Sequence, residues 1–90
     1  MTEVVMYSTS WCPYCTRARL LLKEKGVPFT EIDIEREPGR RAEMIERAGG
    51  RTSVPQIFAG DRHLGGCDDI HALEAQGRLD ALLGLSSTEE

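Results

Sequence analysis

The run Val4-Val5-Met6-Tyr7-Ser8-Thr9-Ser10-Trp11-Cys12-Pro13-Tyr14-Cys15 decides the fold, because it passes from an apolar strand through a polar loop into the start of a helix. Val4 to Tyr7 form a near-continuous apolar stretch, suited to a strand buried on both faces, and the strand is expected over Glu3–Tyr7. Ser8-Thr9-Ser10 breaks it. From Pro13 to about Gly26 the periodicity changes, with Cys15, Ala18, Leu21 and Leu22 sharing one helical face. Proline in the first turn and glycine at the end punctuate that helix.

Working outward, Phe29, Ile32 and Ile34 read as a second strand, closed by the charged stretch Glu35 to Gly39. Strand, helix and strand make a βαβ crossover, so the two strands should be parallel. A second helix is expected from about Arg40 to Ala48, with Ile45 and Ala48 inward and Gly49-Gly50 ending it. Gln56–Ala59 and Arg62–Leu64 flank Gly60-Asp61, a hairpin-turn dipeptide. Asp68-Asp69 should open a third helix through about Gln76, its acids placed at the positive end of the helix dipole. Arg78 to Leu83 adds a last helical turn or two. The expected product is one α/β domain over residues 1–84: βαβ followed by ββα, with a four-stranded mixed sheet flanked by helices. Residues 85–90 read as a flexible C-terminal tail.

Ninety residues support one domain with a modest core. Eleven Lys+Arg against fifteen Asp+Glu give a net charge of −4, which argues against a broad nucleic-acid surface. No apolar run approaches the roughly 20 residues that span a bilayer. The N-terminus lacks the basic region and long apolar stretch of a secretory signal. A cytoplasmic monomer is therefore expected, with no nucleic-acid or membrane partner.

Three cysteines cannot all pair within one chain, so a disulfide framework is a weak reading. Cys12 falls at the cap of the first helix and Cys15 one turn inside it, which brings their Cα atoms within roughly 5–6 Å, in disulfide range. A Cys12 thiolate would face the free N–H groups of Tyr14 and Cys15 at the positive helix end, and Pro13 would fix the helix start. Cys15 lacks that support and should stay a thiol. One sulfur attacks and the other resolves. The alternative is a zinc site, which would need two more ligands from Cys67, His63 and His71. No second pair has zinc spacing, so no metal is expected. His63 and His71 have no partner visible in the sequence and read as surface residues.

Three motifs in order resemble the glutaredoxins, the glutathione-dependent branch of the thioredoxin fold: Cys12-Pro13-Tyr14-Cys15, then Ser53-Val54-Pro55-Gln56-Ile57-Phe58, then Gly65-Gly66-Cys67-Asp68-Asp69. The resemblance runs from about Val4 to Leu83. It implies a dithiol, glutathione-dependent oxidoreductase that reduces protein disulfides and protein–glutathione mixed disulfides, with Cys12 as nucleophile and Cys15 as resolving thiol. It also implies a cis Val54–Pro55 peptide facing Cys12, so that the backbone of Val54 pairs with the cysteine moiety of glutathione like a strand edge. Gly66, Cys67, Asp68 and Asp69 would receive the γ-glutamyl end, its carboxylate on backbone N–H groups and its ammonium on an acid, Asp69 being preferred. Capping of the helix by either acid is the competing role. Cys67 is expected to serve through its backbone more than its sulfur. Tyr14 would line the groove, and Arg41, in preference to Arg40, would hold the glycine carboxylate.

No permanently bound cofactor is implied; glutathione is the co-substrate. The implied partners are disulfide-containing or glutathionylated proteins and, indirectly, a glutathione reductase system using NADPH. Many glutaredoxins carry a lysine where this chain has Thr9, so the helix N-terminus must do more to stabilise the thiolate. Ser53 replaces a usual threonine. Trp11, beside the nucleophile, either packs or touches protein substrates. An alternative of another class is an iron–sulfur carrier in which two chains and two glutathiones hold a cluster through Cys12. Members with that activity usually carry Ser or Gly where Pro13 stands. A non-catalytic adaptor on the same fold is disfavoured by the intact thiol pair.

Overall fold

The computed structural model describes residues 3–84. In chain order the elements are β1 (Val4–Ser8), α1 (Pro13–Glu24), β2 (Phe29–Asp33), α2 (Gly39–Arg47), β3 (Gln56–Ala59), β4 (Arg62–Gly65), α3 (Cys67–Ala75) and α4 (Leu79–Leu82). The tail expected over 85–90 lies outside the described residues.

Alternation along β1 splits the core in two. Val4 and Met6 face one side of the sheet, where they pack with Ala18, Leu21 and Leu22 of α1, Ile70 of α3 and Leu79 of α4. Tyr7 faces the other side and packs with Ile32, Met44 and Phe58, supported by the partly buried Val5. A strand covered on both faces must be apolar at successive positions, which is why this run reads as it does. β3 repeats the logic, sending Ile57 and Ala59 to the first cluster and Phe58 to the second.

The sheet order is β2-β1-β3-β4. β1 pairs parallel to β2, with Val4 opposite Phe29 and Tyr7 opposite Ile32, and antiparallel to β3, with Val5 opposite Phe58. β3 and β4 form the antiparallel hairpin about Gly60-Asp61. This is the expected βαβ–ββα arrangement, a four-stranded mixed sheet flanked by helices. Among the described residues no helix is long and apolar enough to cross a membrane.

The differences from the sequence reading are local. β1 begins and ends one residue later than expected, and Ser8 is buried with its carbonyl accepting from the Ile34 N–H at 3.0 Å. Ile34 is therefore core without belonging to β2. In α2 the fully buried side chain is Met44, while Ile45 is only partly covered. The buried Tyr7 hydroxyl donates to Glu43 and accepts from Arg47 Nη1 at 2.8 Å, and the Arg47 guanidinium lies 4.3 Å from the Phe58 ring centroid. Without such partners a buried hydroxyl would cost about 1–3 kcal/mol. The α2 side of the sheet is thus closed by a polar latch.

Candidate active site

Cys12 occupies the N-cap of α1, its backbone extended and Pro13 following as the first helical residue. That geometry turns its sulfur back over the first turn, where it accepts the Cys15 N–H at 3.2 Å. Two donors were expected and only this one is made; Tyr14 contributes no such bond. A helix N-terminus with one donor aimed at the sulfur favours negative charge there. Across the cleft the Cys12 thiol reaches the Val54 carbonyl at 3.7 Å. Cys12 is partly exposed, whereas Cys15 is completely buried, and both are free thiols. Burial, followed by the hydrogen bond with Cys12, pushes the Cys15 thiol up to about 12. At neutral pH Cys15 is therefore a protonated sulfur waiting one turn behind an accessible one.

The peptide between Val54 and Pro55 is cis, as the resemblance implied. Gln56 holds the loop ahead of it. It is wholly buried, donates from Nε2 to the Ser53 carbonyl at 3.0 Å, and turns Oε1 to His63 Nε2 at 2.6 Å. Because the Gln56 amide nitrogen is committed to Ser53, the Nε2 of His63 is the protonated one. His63 also stacks on Phe58, centroids 4.8 Å apart. Burial, then the nearby Arg51 charge, lowers its pKa. The two histidines read as surface residues are each partly buried and have partners invisible in the sequence: His63 meets Gln56 beside the cis-proline loop, and His71 Nδ1 meets the Cys67 carbonyl at 2.8 Å.

α3 begins at Cys67, one residue earlier than expected, with Gly66 at its N-cap. Glycine has no side chain with which to cap, so Asp69 reaches back and accepts the Gly66 N–H on Oδ2 at 2.8 Å. Arg51 Nη1 meets the same oxygen at 3.1 Å. The Gly66 N–H first, and then Arg51, hold the Asp69 carboxyl below its ordinary value despite partial burial. Among the described residues Oδ1 of Asp69 carries no hydrogen bond and stays available to a cation. Asp68 is exposed beside it. Cys67 is buried, and burial raises its thiol pKa.

Tyr14, Arg51, Ser53, Val54, Pro55, Gly66, Cys67, Asp68 and Asp69 line one cleft of about 190 Å³. Seven of the eight sequence-derived site residues beyond Cys12 and Cys15 are thus brought together, leaving only Arg41 outside. Arg41 is exposed on α2, and its neighbour Arg40 pairs with Glu43 at 3.3 Å along the same helix. The cation that does line the cleft is Arg51, which the sequence reading missed. It lies in the aperiodic link between α2 and β3, and its one signal is a lone basic residue four positions before Pro55. Among the described residues no three His, Cys, Asp or Glu side chains converge to hold a metal ion.

The family profile described as Glutaredoxin matches residues 4–64. A protein of Pseudomonas aeruginosa named glutaredoxin is 58% identical over 92% of this chain and 98% of its own length. Glutaredoxin 3 of Escherichia coli K12 is 53% identical over 92% of this chain and 99% of its own. Among solved structures, a buckwheat glutaredoxin–glutathione complex superposes with a TM-score of 0.83 at 28% identity, covering 92% of this chain and 77% of that one.

Proposed function

The chain belongs to the glutaredoxin family and is a dithiol thiol–disulfide oxidoreductase, and from that premise we propose that one domain over residues 1–84 binds glutathione in the cleft beside Cys12 and passes disulfides through Cys12 and Cys15. The observation that carries the assignment of roles is the contrast between the two sulfurs: Cys12 is accessible and faces a helix N–H at 3.2 Å, while Cys15 is buried and held as a thiol.

In the one-cysteine route the Cys12 thiolate attacks the glutathione sulfur of a protein–glutathione mixed disulfide. The S–S bond breaks, Cys12 takes the glutathionyl group, and the protein leaves as a thiolate that picks up a proton. A second glutathione thiolate attacks the same glutathionyl sulfur, giving glutathione disulfide and restoring Cys12. In the two-cysteine route Cys12 attacks a protein disulfide, and Cys15, losing its proton as it attacks the Cys12 sulfur, completes the reduction. Two glutathiones then reopen the Cys12–Cys15 disulfide. Thiolate availability, leaving-group acidity and access set these rates, and no metal is needed. Glutathione disulfide would be recycled by a glutathione reductase using NADPH.

Glutathione binding is supported by the buckwheat complex and by the chemistry of the lining. Val54 offers backbone groups to the cysteine moiety, and the Cys67 and Asp68 N–H groups at the start of α3 suit the γ-glutamyl carboxylate. Oδ1 of Asp69 suits the ammonium. Arg51, lining the cleft with its side chain about half exposed, is better placed than Arg41 for a carboxylate of the ligand.

Asp69→Ala removes both the ammonium partner and the cap, and the KM for glutathione should rise about tenfold, the loss of one charge-assisted hydrogen bond. Asp69→Asn separates the two roles, since its amide oxygen still accepts the Gly66 N–H. Steady-state kinetics should place Asn close to Ala. Restoration of the wild-type KM by Asn would reduce Asp69 to a helix cap.

A further inference from the structure

The three large hydrophobic side chains that stand exposed among the described residues all belong to the ten-residue segment around the nucleophile: Trp11 at 91%, Tyr14 at 55% and Leu20 at 56%. The core does not use Trp11 at all. Leaving an indole in water forfeits a large favourable burial, so a side chain held this way next to Cys12 is suited to being covered by something that visits the site.

Spacing extends the patch along α1. Tyr14, Arg17 and Leu20 follow one another at three-residue intervals, so neighbouring members touch across a turn and the set spans ~9 Å of helix axis. An extended peptide advances about 3.3 Å per residue, so this length matches roughly three residues of a bound segment. Charge adds a second element. Among the described residues Arg17 has no salt bridge, whereas Arg19 is held by Glu31 at 2.5 Å and Lys25 by Glu74 and Asp80 at 2.6 and 2.8 Å. Arg17 is therefore the cation of α1's first two turns that is free to meet an incoming carboxylate.

The patch is continuous with the cleft, because Tyr14 belongs to both. A mixed disulfide has two halves joined at one sulfur–sulfur bond. If the glutathione half fills the cleft between Val54 and Asp69, the protein half must leave from Cys12 by another path, and the surface that borders Cys12 on α1 is this one. We propose that Trp11, Arg17 and Leu20 form a docking ridge for the protein half of the substrate, selecting cysteines flanked within about three residues by an apolar side chain and an acidic one. The ridge rests on the glutathione reading given above.

Three substrates test it: the mixed disulfide of glutathione with β-mercaptoethanol, which has no protein half, and two glutathionylated peptides, one with Leu and Asp beside the cysteine and one with Ser and Lys. Wild type should favour the Leu/Asp peptide by about tenfold in kcat/KM, the scale set by covering one large apolar side chain. A Trp11→Ser, Leu20→Ser double variant should lose that preference and keep its rate on the small disulfide within about twofold. Arg17→Glu should shift the preference toward the Lys-containing peptide. Equal treatment of the two peptides by wild type, or an equal fall on all three substrates in the variants, would overturn the ridge. No turnover of the small disulfide by wild type would remove the glutathione reading itself, and the ridge with it.

Discussion

Cys12→Ser should lose turnover on every disulfide substrate, falling by at least about a thousand-fold to the uncatalysed background. A serine hydroxyl at the same N-cap can still accept the Cys15 N–H, so the start of α1 should survive and the loss should be one of chemistry. No second sulfur can take over. Cys15 is wholly buried and pushed up to about 12, and Cys67 is buried with its thiol also raised. Cys15→Ser should behave differently. Deglutathionylation of small mixed disulfides needs one cysteine only and should persist within about threefold, whereas protein disulfides should stall as mixed disulfides with Cys12. A glutathione-coupled assay run on both substrate types reads the two outcomes side by side. Equal loss of both activities in Cys15→Ser would show that the second sulfur does more than resolve.

The second large effect concerns a residue with no side chain. Gly65 has φ +106°, and a Cβ added there would lie 2.7 Å from the Cβ and Cγ atoms of Asp69. Gly65→Ala therefore combines backbone strain with expulsion of the carboxylate that caps α3 and faces the cleft. Strain of about 1–3 kcal/mol and a lost cap of about 1 kcal/mol sum to roughly 2–4 kcal/mol. For a domain of this size that lowers Tm by ~10–20 °C or more. The KM for glutathione should rise at least as much as in Asp69→Ala. Gly49→Ala is the matched control, because its φ is +69° but nothing lies within 4 Å of the added atom. It should cost only about 1 kcal/mol and leave KM unchanged. Similar behaviour of the two variants would mean that the close approach to Asp69 does not matter.

Much of this site is local in sequence, and that part was legible. Cys12, Pro13 and Cys15 act through one helix start, and a helix start is written in adjacent residues. The βαβ–ββα order follows from apolar runs and their punctuation, because strands covered on both faces leave little ambiguity. What escaped was set by distant packing. Arg51 enters the cleft because the link after α2 passes beside the start of α3, and nothing in the neighbourhood of residue 51 encodes that approach. Arg41, chosen by position in a motif, instead points its helix face outward with Arg40 engaged to Glu43. His63 looked idle because its partners, Gln56 and Phe58, sit on the neighbouring strand of the hairpin. In α2 both Met44 and Ile45 are apolar, and only the contact with Tyr7 and Phe58 decides that Met44 is the deeper.

The departure at position 9 also gains meaning from the geometry. Without a loop lysine, the sulfur of Cys12 is supported by a helix N–H at 3.2 Å, and the cation of the cleft, Arg51, is already shared with Asp69. The charged groups of the cleft are thus coupled through one short chain of contacts: Gly66 to Asp69 to Arg51. Such a chain can orient a zwitterionic ligand end while the domain as a whole keeps its net charge of −4.

The most direct measurement is a mass map of the Cys15→Ser protein after exposure to glutathione disulfide, with the resolving thiol unable to release the adduct. One glutathionyl group on Cys12 and none on Cys67 is the result expected from an accessible, helix-capped nucleophile beside a glutathione cleft. An adduct on Cys67, or a protein that stays unmodified, would contradict the assignment of Cys12 as the sulfur that takes glutathione.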